Sequence, residues 1–220
     1  MEARIEQVPG AAQAGNGDAT DVNAWIIGDD DEVIVVDPGR DAGAVLDAVG
    51  EREVLAVICT HGHAGHMAAA VEVAGRDDAQ IALHRADMML WREAHPDDDA
   101  EIEMEDGGVF EVGDVTLEVI HAPGHTPGSV CLYCEDLDAV FSGDALLATG
   151  PAAHDGDFPD FSAQLTAIGE RLLTLPGRTR VLPGHGAETT VAVAERRFDS
   201  WVTAGPLGPA SPSAPLRTAR

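Results

Sequence analysis

The sequence predicts an α/β protein built as a single domain. Three observations lead to this prediction: short apolar runs of strand length recur, segments of helical composition lie among them, and 220 residues suffice to bury a substantial core. Apolar residues make up 45% of the chain, which is typical of a globular protein rather than a disordered or fibrous one. We expect one domain over residues 1–204 and a Pro/Ala-rich C-terminal tail over 205–220.

The predicted strands are apolar runs bounded by turn residues, at 5–8, 23–28, 32–36, 54–59, 81–84, 108–112, 115–120, 129–133, 139–141 and 180–182. The predicted helices have helical composition or apolar periodicity, at 42–49, 67–74, 85–94, 162–175 and 191–204. Ser162 is the expected N-cap of the helix at 162–175. Residues 145–160, rich in Gly, Pro and Asp, are expected to form a loop over a site.

Charge and composition argue against several functions. The formal net charge is −26 and every basic residue is Arg, so the surface should repel phosphate backbones and no nucleic-acid partner is expected. No apolar run approaches the roughly 18–20 residues of a membrane helix. The N-terminus lacks the basic-then-apolar pattern of a signal peptide. We therefore expect a cytoplasmic protein with no membrane partner.

The cysteines point to packing rather than chemistry. Three cysteines, an odd number, fit a reduced compartment better than a disulfide framework. Cys131 and Cys134 form a C-x-x-C pattern inside an apolar strand, where their thiols should point to opposite faces. No second C-x-x-C completes a zinc site, so we interpret both as packing residues.

Histidines and one aspartate follow the ends of four predicted strands, each in a turn that contains glycine. They are His61, His63 and His66 after the first strand, His125 after the second, Asp144 after the third and His185 after the fourth. Side chains two residues apart in extended backbone point the same way, so His61 and His63 can converge on one ion. Because residues at strand ends share one crevice in open α/β sheets, the six side chains predict a centre for one or two zinc-type ions.

Four motifs carry a family resemblance: T-H-G-H-A-x-H at 60–66, A-P-G-H-T-P-G-S at 122–129, F-S-G-D at 141–144 and P-G-H-G at 183–186. In these motifs the chain resembles the metallo-β-lactamase superfamily, and within it the small glyoxalase-II-like metallohydrolases. The resemblance implies a four-layer αβ/βα sandwich with the site at one edge of two sheets. It also implies the metal ligands: His61, His63 and His125 for the first ion, Asp144 as a bridge, and His66 and His185 for the second.

Gly65 departs from the family pattern H-x-H-x-D-H, whose Asp ligates the second metal and helps to orient the attacking water. Altered supporting residues already cost about 10–100-fold in affinity or activity, so a lost ligand should cost at least that. Three outcomes stay open: a one-metal enzyme, a weakly filled second site, or a protein without hydrolysis. Asp37, Asp155 and Asp157 are candidate substitutes, and an ordinary turn or solvated carboxylate is the alternative for each.

The remaining histidines carry weaker expectations. His154, in the loop after Asp144, is a candidate substrate-binding residue, since loops over rigid scaffolds often carry specificity. His121 either supports the ligands or is structural, and the structural role is favoured. His84 and His95 are expected to be structural or exposed.

The first functional hypothesis is hydrolysis of a thioester or related ester through a metal-bound hydroxide, with Zn²⁺ expected and Fe or Mn as alternatives. Asp144 is the candidate catalytic residue that positions the water, and the substrate is expected to be a small molecule. The alternative is an iron-dependent, persulfide-dioxygenase-like oxidoreductase that uses His61, His125 and Asp144. A third hypothesis is a non-catalytic member of the superfamily.

Overall fold

Two six-stranded β-sheets form the centre of the protein. The computed structural model describes residues 2–9, 22–152 and 160–205. The first sheet follows chain order: β1 (Arg4–Pro9), β2 (Asn23–Gly28), β3 (Glu32–Val36), β4 (Glu53–Ile58), β5 (Gln80–His84) and β6 (Ile102–Met104). The second sheet also places its strands in chain order: β7 (Val109–Val112), β8 (Val115–His121), β9 (Val130–Cys134), β10 (Ala139–Gly143), β11 (Arg180–Pro183) and β12 (Thr189–Thr190).

Both sheets mix parallel and antiparallel pairs. In the first sheet β1 and β2 run antiparallel to their neighbours, and β3 to β6 run parallel to one another. In the second sheet β10 and β11 are parallel, while the other described pairs are antiparallel. Parallel neighbours end at the same edge of a sheet, so the loops that leave β3 and β4 lie side by side, as do those that leave β10 and β11.

Helices cover the outer faces of the sheets: α1 (Ala42–Val49), α2 (Ala64–Met67), α3 (Ala70–Gly75), α4 (Met88–Ala94), α5 (Phe161–Ala167) and α6 (Val191–Ala204). A 3₁₀ turn at Arg85–Asp87 precedes α4, and a wider π turn at Ile168–Leu172 continues α5. Within the described ranges, no helix combines the length and the apolar character that a membrane crossing needs.

Three buried apolar clusters separate the layers. Trp25 and Phe141 belong to the cluster between the two sheets. Trp91 belongs to the cluster between the first sheet and α1, α3 and α4, and Trp201 to the cluster between the second sheet and α5 and α6. Each fully buried large apolar side chain contributes roughly 1.5–3 kcal/mol to stability. The layers run helix, sheet, sheet, helix, which confirms the predicted αβ/βα sandwich.

The C-x-x-C pattern lies in β9 and is divided between two of these clusters. Cys131 packs between the second sheet and its helices, and Cys134 packs between the sheets. Both thiols are free and buried, on opposite faces of the strand as predicted. Burial raises the pKa of the Cys131 thiol to about 12, so the thiol stays protonated and unreactive at neutral pH.

Two helix predictions are wrong in part. The segment expected to be one helix over 162–175 is the seven-residue α5 followed by the π turn. Its N-cap is Asp160 rather than Ser162, because the Asp160 carboxylate accepts from Ala163 N at 2.9 Å. The segment expected as one helix over 67–74 is divided into α2 and α3.

β6 and β12 were not predicted, since strands of three and two residues are too short to show periodicity.

Candidate metal centre

The ends of four strands meet at one edge of the sandwich. Thr60, after β4, accepts at its carbonyl from Val130 N at the start of β9, over 2.9 Å. Gly184 N donates to Gly143 O at 2.8 Å, and Asn23 N of β2 donates to Gly184 O at 2.7 Å. These backbone hydrogen bonds join the first sheet to the second, and they bring together the loops that carry all six predicted ligands.

Glycine at position 143 permits this close approach. Gly143 has a φ of 47°, in the left-handed region that favours glycine. A Cβ atom at this position would collide with the Thr60 side chain. The glycine of the F-S-G-D motif is therefore required by the contact between the two sheets.

His61, His63 and His125 form the first half of the centre, named here the imidazole set. His63 Nδ1 lies 3.1 Å from His61 Nε2 and 3.1 Å from His125 Nε2. His61 and His125 are buried, and His63 is partly exposed. Three ring nitrogens therefore converge at a point that solvent can approach past His63.

Thr60 and Asp37 determine the tautomer of His61. The Thr60 hydroxyl donates to Asp37 Oδ2 at 2.7 Å, and Thr60 N donates to Asp37 Oδ1 at 2.7 Å. Because the hydroxyl proton is already committed, Thr60 Oγ1 accepts from His61 Nδ1 at 3.1 Å. The lone pair of His61 Nε2 therefore points into the imidazole set, an arrangement that supporting hydrogen bonds commonly impose on metal ligands.

His66, Asp144 and His185 form the second half, named here the carboxylate set. The two Nε2 atoms lie 3.2 Å apart, and Asp144 Oδ2 lies 3.6 Å from His66 Nε2 and 3.4 Å from His185 Nε2. Asp144 Oδ2 also lies 3.4 Å from His125 Nε2, so this carboxylate adjoins both sets. The far nitrogen of His66, Nδ1, lies 3.0 Å from Asp37 Oδ2.

Burial and neighbouring charges give the two sets different protonation in the metal-free protein. Burial lowers the pKa of His61 well below its ordinary value, and the charge of His66 lowers it further. Burial also acts to lower the pKa of His66, but Asp37 and Asp144 raise it to about 10. Burial raises the pKa of Asp144, yet His66 and His185 hold it well below its usual range. The carboxylate set thus contains an imidazolium–carboxylate pair, whereas His61 is neutral.

The donor geometry of both sets fits a metal ion. A tetrahedral ion with bonds of about 2.0–2.1 Å holds its donors roughly 3.3 Å apart. The nearest donor separations are 3.1 Å in the imidazole set and 3.2 to 3.6 Å in the carboxylate set. Asp144 Oδ1 is buried with no hydrogen-bond partner among the described residues, which suits a ligand oxygen. Imidazole and carboxylate donors suit zinc, iron and manganese alike.

Asp37 lies behind the ligands and does not replace the carboxylate missing at position 65. Its oxygens come close to His61 and His66, and the three could be taken for another metal group. The ring nitrogens that face Asp37 and Thr60 carry protons, however, and a metal ligand must present a lone pair. Asp37 therefore orients His66 directly and His61 through Thr60.

Gly65 lies in α2, directly before His66. A Cβ atom built there would have Arg40 Nη2 and Val22 Cγ2 as its nearest neighbours, each at 3.8 Å, which is ordinary van der Waals contact. At such a position, helical backbone can carry any side chain other than proline, and no strain results. The Cβ atom of a larger residue would therefore fit at position 65, so neither the backbone nor a clash at Cβ requires glycine there.

The family model of the metallo-β-lactamase superfamily matches residues 17–185. The chain belongs to this superfamily. It is 33% identical over 183 residues to the probable metallo-hydrolase YqgX of Bacillus subtilis strain 168, covering 77% of this chain and 87% of that protein. It is 26% identical over 190 residues to the hydroxyacylglutathione hydrolase GloC of Haemophilus influenzae, covering 79% and 90%.

Solved structures of metallo-β-lactamase superfamily proteins share the fold. The B3 metallo-β-lactamase BLEG-1 superposes with a TM-score of 0.75 at 27% identity, covering 89% of this chain and 97% of that one. TTHA1623, solved in a di-iron-bound form, superposes with a TM-score of 0.72 at 29% identity, covering 82% and 95%. These similarities confirm the family and the fold that the sequence motifs predicted.

Asp87 supports the candidate metal centre, and sequence reasoning missed it. Its fully buried carboxylate accepts from Gly62 N at 2.8 Å, from Thr126 Oγ1 at 2.6 Å and from Gly128 N at 2.7 Å. One carboxylate thus holds the turns on both sides of the imidazole set. A Cβ atom at Gly128 would lie 2.6 Å from Asp87, so glycine admits the contact. In the sequence, Asp87 could be noticed as an acidic residue at the start of a helix. Acidic residues are common at that position in any helix, so this did not indicate a role at the site.

Two buried amides hold the other two ligand loops. Gln164 of α5 donates from Nε2 to the carbonyls of residues 144 and 145, at 3.1 and 3.0 Å. Asn23 donates from Nδ2 to Pro183 O at 3.0 Å and to Gly186 O at 2.8 Å, on either side of the histidine in that loop. Neither residue was predicted, because each lies far along the chain from the loop it supports.

The remaining histidines lie outside the two sets. His84 and His121 stack with ring centroids 4.3 Å apart, and His121 Nε2 lies 3.0 Å from Pro127 O in the loop that follows His125. His95 Nε2 lies 3.0 Å from Met67 O, at the end of α2. The other candidates, His154, Asp155 and Asp157, lie outside the described residues.

Proposed function

We propose that the protein is a metal-dependent hydrolase of a thioester or related ester, similar in activity to glyoxalase II. The observation that carries the proposal is the pair of adjoining donor sets joined by Asp144, whose Oδ2 lies 3.4 Å from both His125 Nε2 and His185 Nε2. The similarity to hydroxyacylglutathione hydrolase GloC supports a thioester substrate. The three outcomes that Gly65 leaves open are distinguished by the metal content of the protein together with its hydrolytic activity.

The residues of the chain have distinct roles in this proposal. A zinc ion, when bound, polarises a scissile carbonyl and lowers the pKa of water toward about 7. The imidazole set would contribute imidazole nitrogens, which as neutral ligands leave the positive charge of an ion uncancelled, and burial lowers the pKa of His61 accordingly. Asp144 is buried, its pKa is held well below its usual range, and its Oδ1 accepts no hydrogen bond from the rest of the described chain, so it can accept a hydrogen bond from the attacking water and orient it.

Exposure at the site supports a small-molecule substrate that enters from one side. His63 and His185 are the less buried members of the two sets, and the side chain of His185 is 21% exposed against 8% for Asp144. A ligand from solvent therefore meets these two histidines before the more buried members of the two sets. The buried free cysteines are consistent with a reduced, cytoplasmic setting.

The test is hydrolysis of acyl-thiol esters by purified protein reconstituted with Zn²⁺, Fe²⁺ or Mn²⁺. We expect turnover of at least one thioester, lost on chelation and regained when the metal is restored. His125→Ala should abolish it, and Asp47→Asn, at an exposed carboxylate of α1, should not. A fully metallated protein that is inactive on thioesters, lactones and phosphoesters would contradict the proposal.

A second candidate function is an iron-dependent oxidation of the persulfide-dioxygenase type. It is favoured by the missing carboxylate at position 65 and by the approach of Asp144 to His125, because two histidines and one carboxylate suit Fe(II) with open positions. Iron content and oxygen uptake with glutathione persulfide separate the two functions. A purified protein that binds almost no metal would instead support the non-catalytic hypothesis.

A further inference from the structure

His84 and His121 form a pair of stacked imidazole rings beside the candidate metal centre, named here the stacked pair. Their ring centroids lie 4.3 Å apart, and their planes differ by 12°. His84 is buried at the end of β5, and His121 is partly exposed at the end of β8. The two rings therefore join the first sheet to the second at the edge where the ligand loops begin.

His84 also caps the short turn that carries Asp87. Its Nδ1 accepts from Ala86 N at 3.3 Å, at the start of the 3₁₀ turn Arg85–Asp87. An imidazole nitrogen accepts only when it carries no proton, so this contact needs a neutral His84 with its proton on Nε2. Asp87 in turn holds the turns on both sides of the imidazole set through three donors.

His121 holds one of these turns from the other side. Its Nε2 lies 3.0 Å from Pro127 O, and a carbonyl oxygen only accepts, so this nitrogen donates. Pro127 lies between the two residues of the loop after His125 that donate to Asp87. The contacts close a ring, because His84 supports Asp87, Asp87 and His121 hold one loop, and the two imidazoles stack.

Burial and nearby charges keep His84 neutral at neutral pH. Burial lowers the pKa of His84, and the neighbouring His121 lowers it further. Of the other charged groups near this ring, Asp87 and Glu105 raise its pKa and Arg85 lowers it. Two protonated rings stacked at this distance would repel each other. A proton on His84 therefore opposes both its cap and its stack.

An ion pair holds the backbone that carries the second ring. Asp106 Oδ1 accepts from His121 N at 2.8 Å and from Arg171 Nη2 at 2.7 Å. Arg171 belongs to the π turn that continues α5. The position of His121 is thus fixed from outside the stacked pair, and a change of charge on His84 acts on the cap and on the contact between the rings.

We propose that the stacked pair positions the imidazole set and does so only while His84 is neutral. When His84 gains a proton in acid, its Nδ1 turns from an acceptor into a donor that faces Ala86 N. The cap of the Asp87 turn and the stack on His121 are then lost, and the turns beside the imidazole set lose their support. The inference rests on the proposed metal-dependent function and adds regulation of the same centre by acid.

The test is the affinity for the most tightly held Zn²⁺ ion, measured by competition with a chromophoric chelator at a series of pH values. The ligands themselves bind protons, so the quantity compared is the ratio of the wild-type affinity to that of His84→Asn. Asparagine keeps an oxygen that can cap the turn, and it does not titrate. We expect a ratio that is constant above pH 6.5, the ordinary pKa of histidine, and falls about two- to tenfold by about pH 5.

His95→Gln is the matched control, because it removes another partly exposed histidine outside both sets and should keep the pH dependence of the wild type. At about pH 7.5, His121→Gln keeps a donor for Pro127 O and should stay within about threefold of the wild-type affinity. His121→Phe keeps a ring but loses the donor, and should lose about tenfold. Because His121 is partly exposed, its variants test the pair even where His84→Asn fails to fold.

The possible results separate the stacked pair from the proposed function. A ratio that does not change with pH, or equal affinities in His121→Gln and His121→Phe, would overturn the positioning role and leave the proposed function standing. Tight Zn²⁺ binding with the expected pH dependence but no ester hydrolysis would contradict the proposed function and leave the pair standing. A wild type that binds no Zn²⁺ tightly would overturn both.

Discussion

The two halves of the metal centre differ in charge and in how they are held. The imidazole set consists of three histidines, and burial keeps the pKa of His61 low. The carboxylate set contains the ionised Asp144 and a protonated His66 in the metal-free protein. An ion entering the imidazole set meets a preformed lone pair at His61, whereas an ion entering the carboxylate set must first displace a proton from His66.

The residues that hold the two halves in place also differ. Asp87 holds the turns of the imidazole set through three donors and takes no part in binding. In the carboxylate set, Asp37 bonds directly to a predicted ligand, and position 65 offers no carboxylate. We therefore expect the imidazole set to bind an ion more tightly than the carboxylate set.

Asp144→Asn should have the largest effect, because this carboxylate adjoins both halves. Replacing the carboxylate by an amide removes a negatively charged candidate metal ligand from the carboxylate set. We expect at least about a 100-fold loss of hydrolysis. Metal analysis should show at most one ion per chain. Steady-state kinetics on a thioester check the loss, with Asp47→Asn as the matched control. Activity within tenfold of the wild type would mean that Asp144 does not connect the halves.

Asp87→Asn should damage the imidazole set selectively. An amide group presents N–H to donors that need an acceptor, so the metal-free protein should lose about 2–4 kcal/mol of unfolding free energy. Affinity for the first ion should fall about 10–100-fold. Urea unfolding and metal titration measure the two effects. An equal loss at the carboxylate set would show that Asp87 acts on the whole fold rather than on one half.

Thr60→Val should give a smaller loss, about tenfold in affinity for the first ion. The variant removes the oxygen that holds the proton of His61 on Nδ1, so the ring can present the wrong nitrogen to the ion. Thr60→Ser keeps that oxygen and should retain wild-type affinity. Metal titration of both variants makes the comparison, and equal affinities in the two would refute a role for the tautomer.

Raising the pH should weaken the metal-free fold through His66, the smallest of these effects. The pKa of His66 is about 10 in the folded chain against an ordinary value of 6.5. Because the folded pKa is the higher, the stabilising contribution is complete below pH 6.5 and is lost as the pH rises through about 10. Urea unfolding of chelator-treated protein across this range tests the effect. His66→Gln should show a flatter dependence, and identical slopes would exclude this histidine as the cause.

Much of the fold was predictable from local pattern. The apolar runs of β2 and β3 coincide with the strands observed, since each side of these strands packs against a core. The helix at α5 was predicted too long: the π turn that continues it contains Gly169, which lies against Phe198 of α6. That contact joins segments far apart in the chain, and periodicity contains no record of it.

The candidate site likewise combines residues that local sequence pattern reveals with residues that only the folded structure reveals. The six predicted ligands were recognisable because each stands at a strand end beside glycine, which is a local pattern. Asp87 and Gln164 were not, because their partners lie at least 25 and 19 residues away along the chain and are mostly backbone groups. Asp37 was a candidate for the missing ligand, with an ordinary turn carboxylate as the alternative, and only the packed structure shows that its oxygens contact Thr60 and His66.

The sequence by itself determined the family, the layered fold and the residues that gather at the edge of the sheets, because these follow from motifs and local spacing. Only the tertiary structure decided how those residues divide into two adjoining donor sets, and that burial and neighbouring charges lower the pKa of His61 and raise that of His66. The physical reason is that protonation and charge pairing depend on burial and on partners through space. Neither exists until the two sheets have packed.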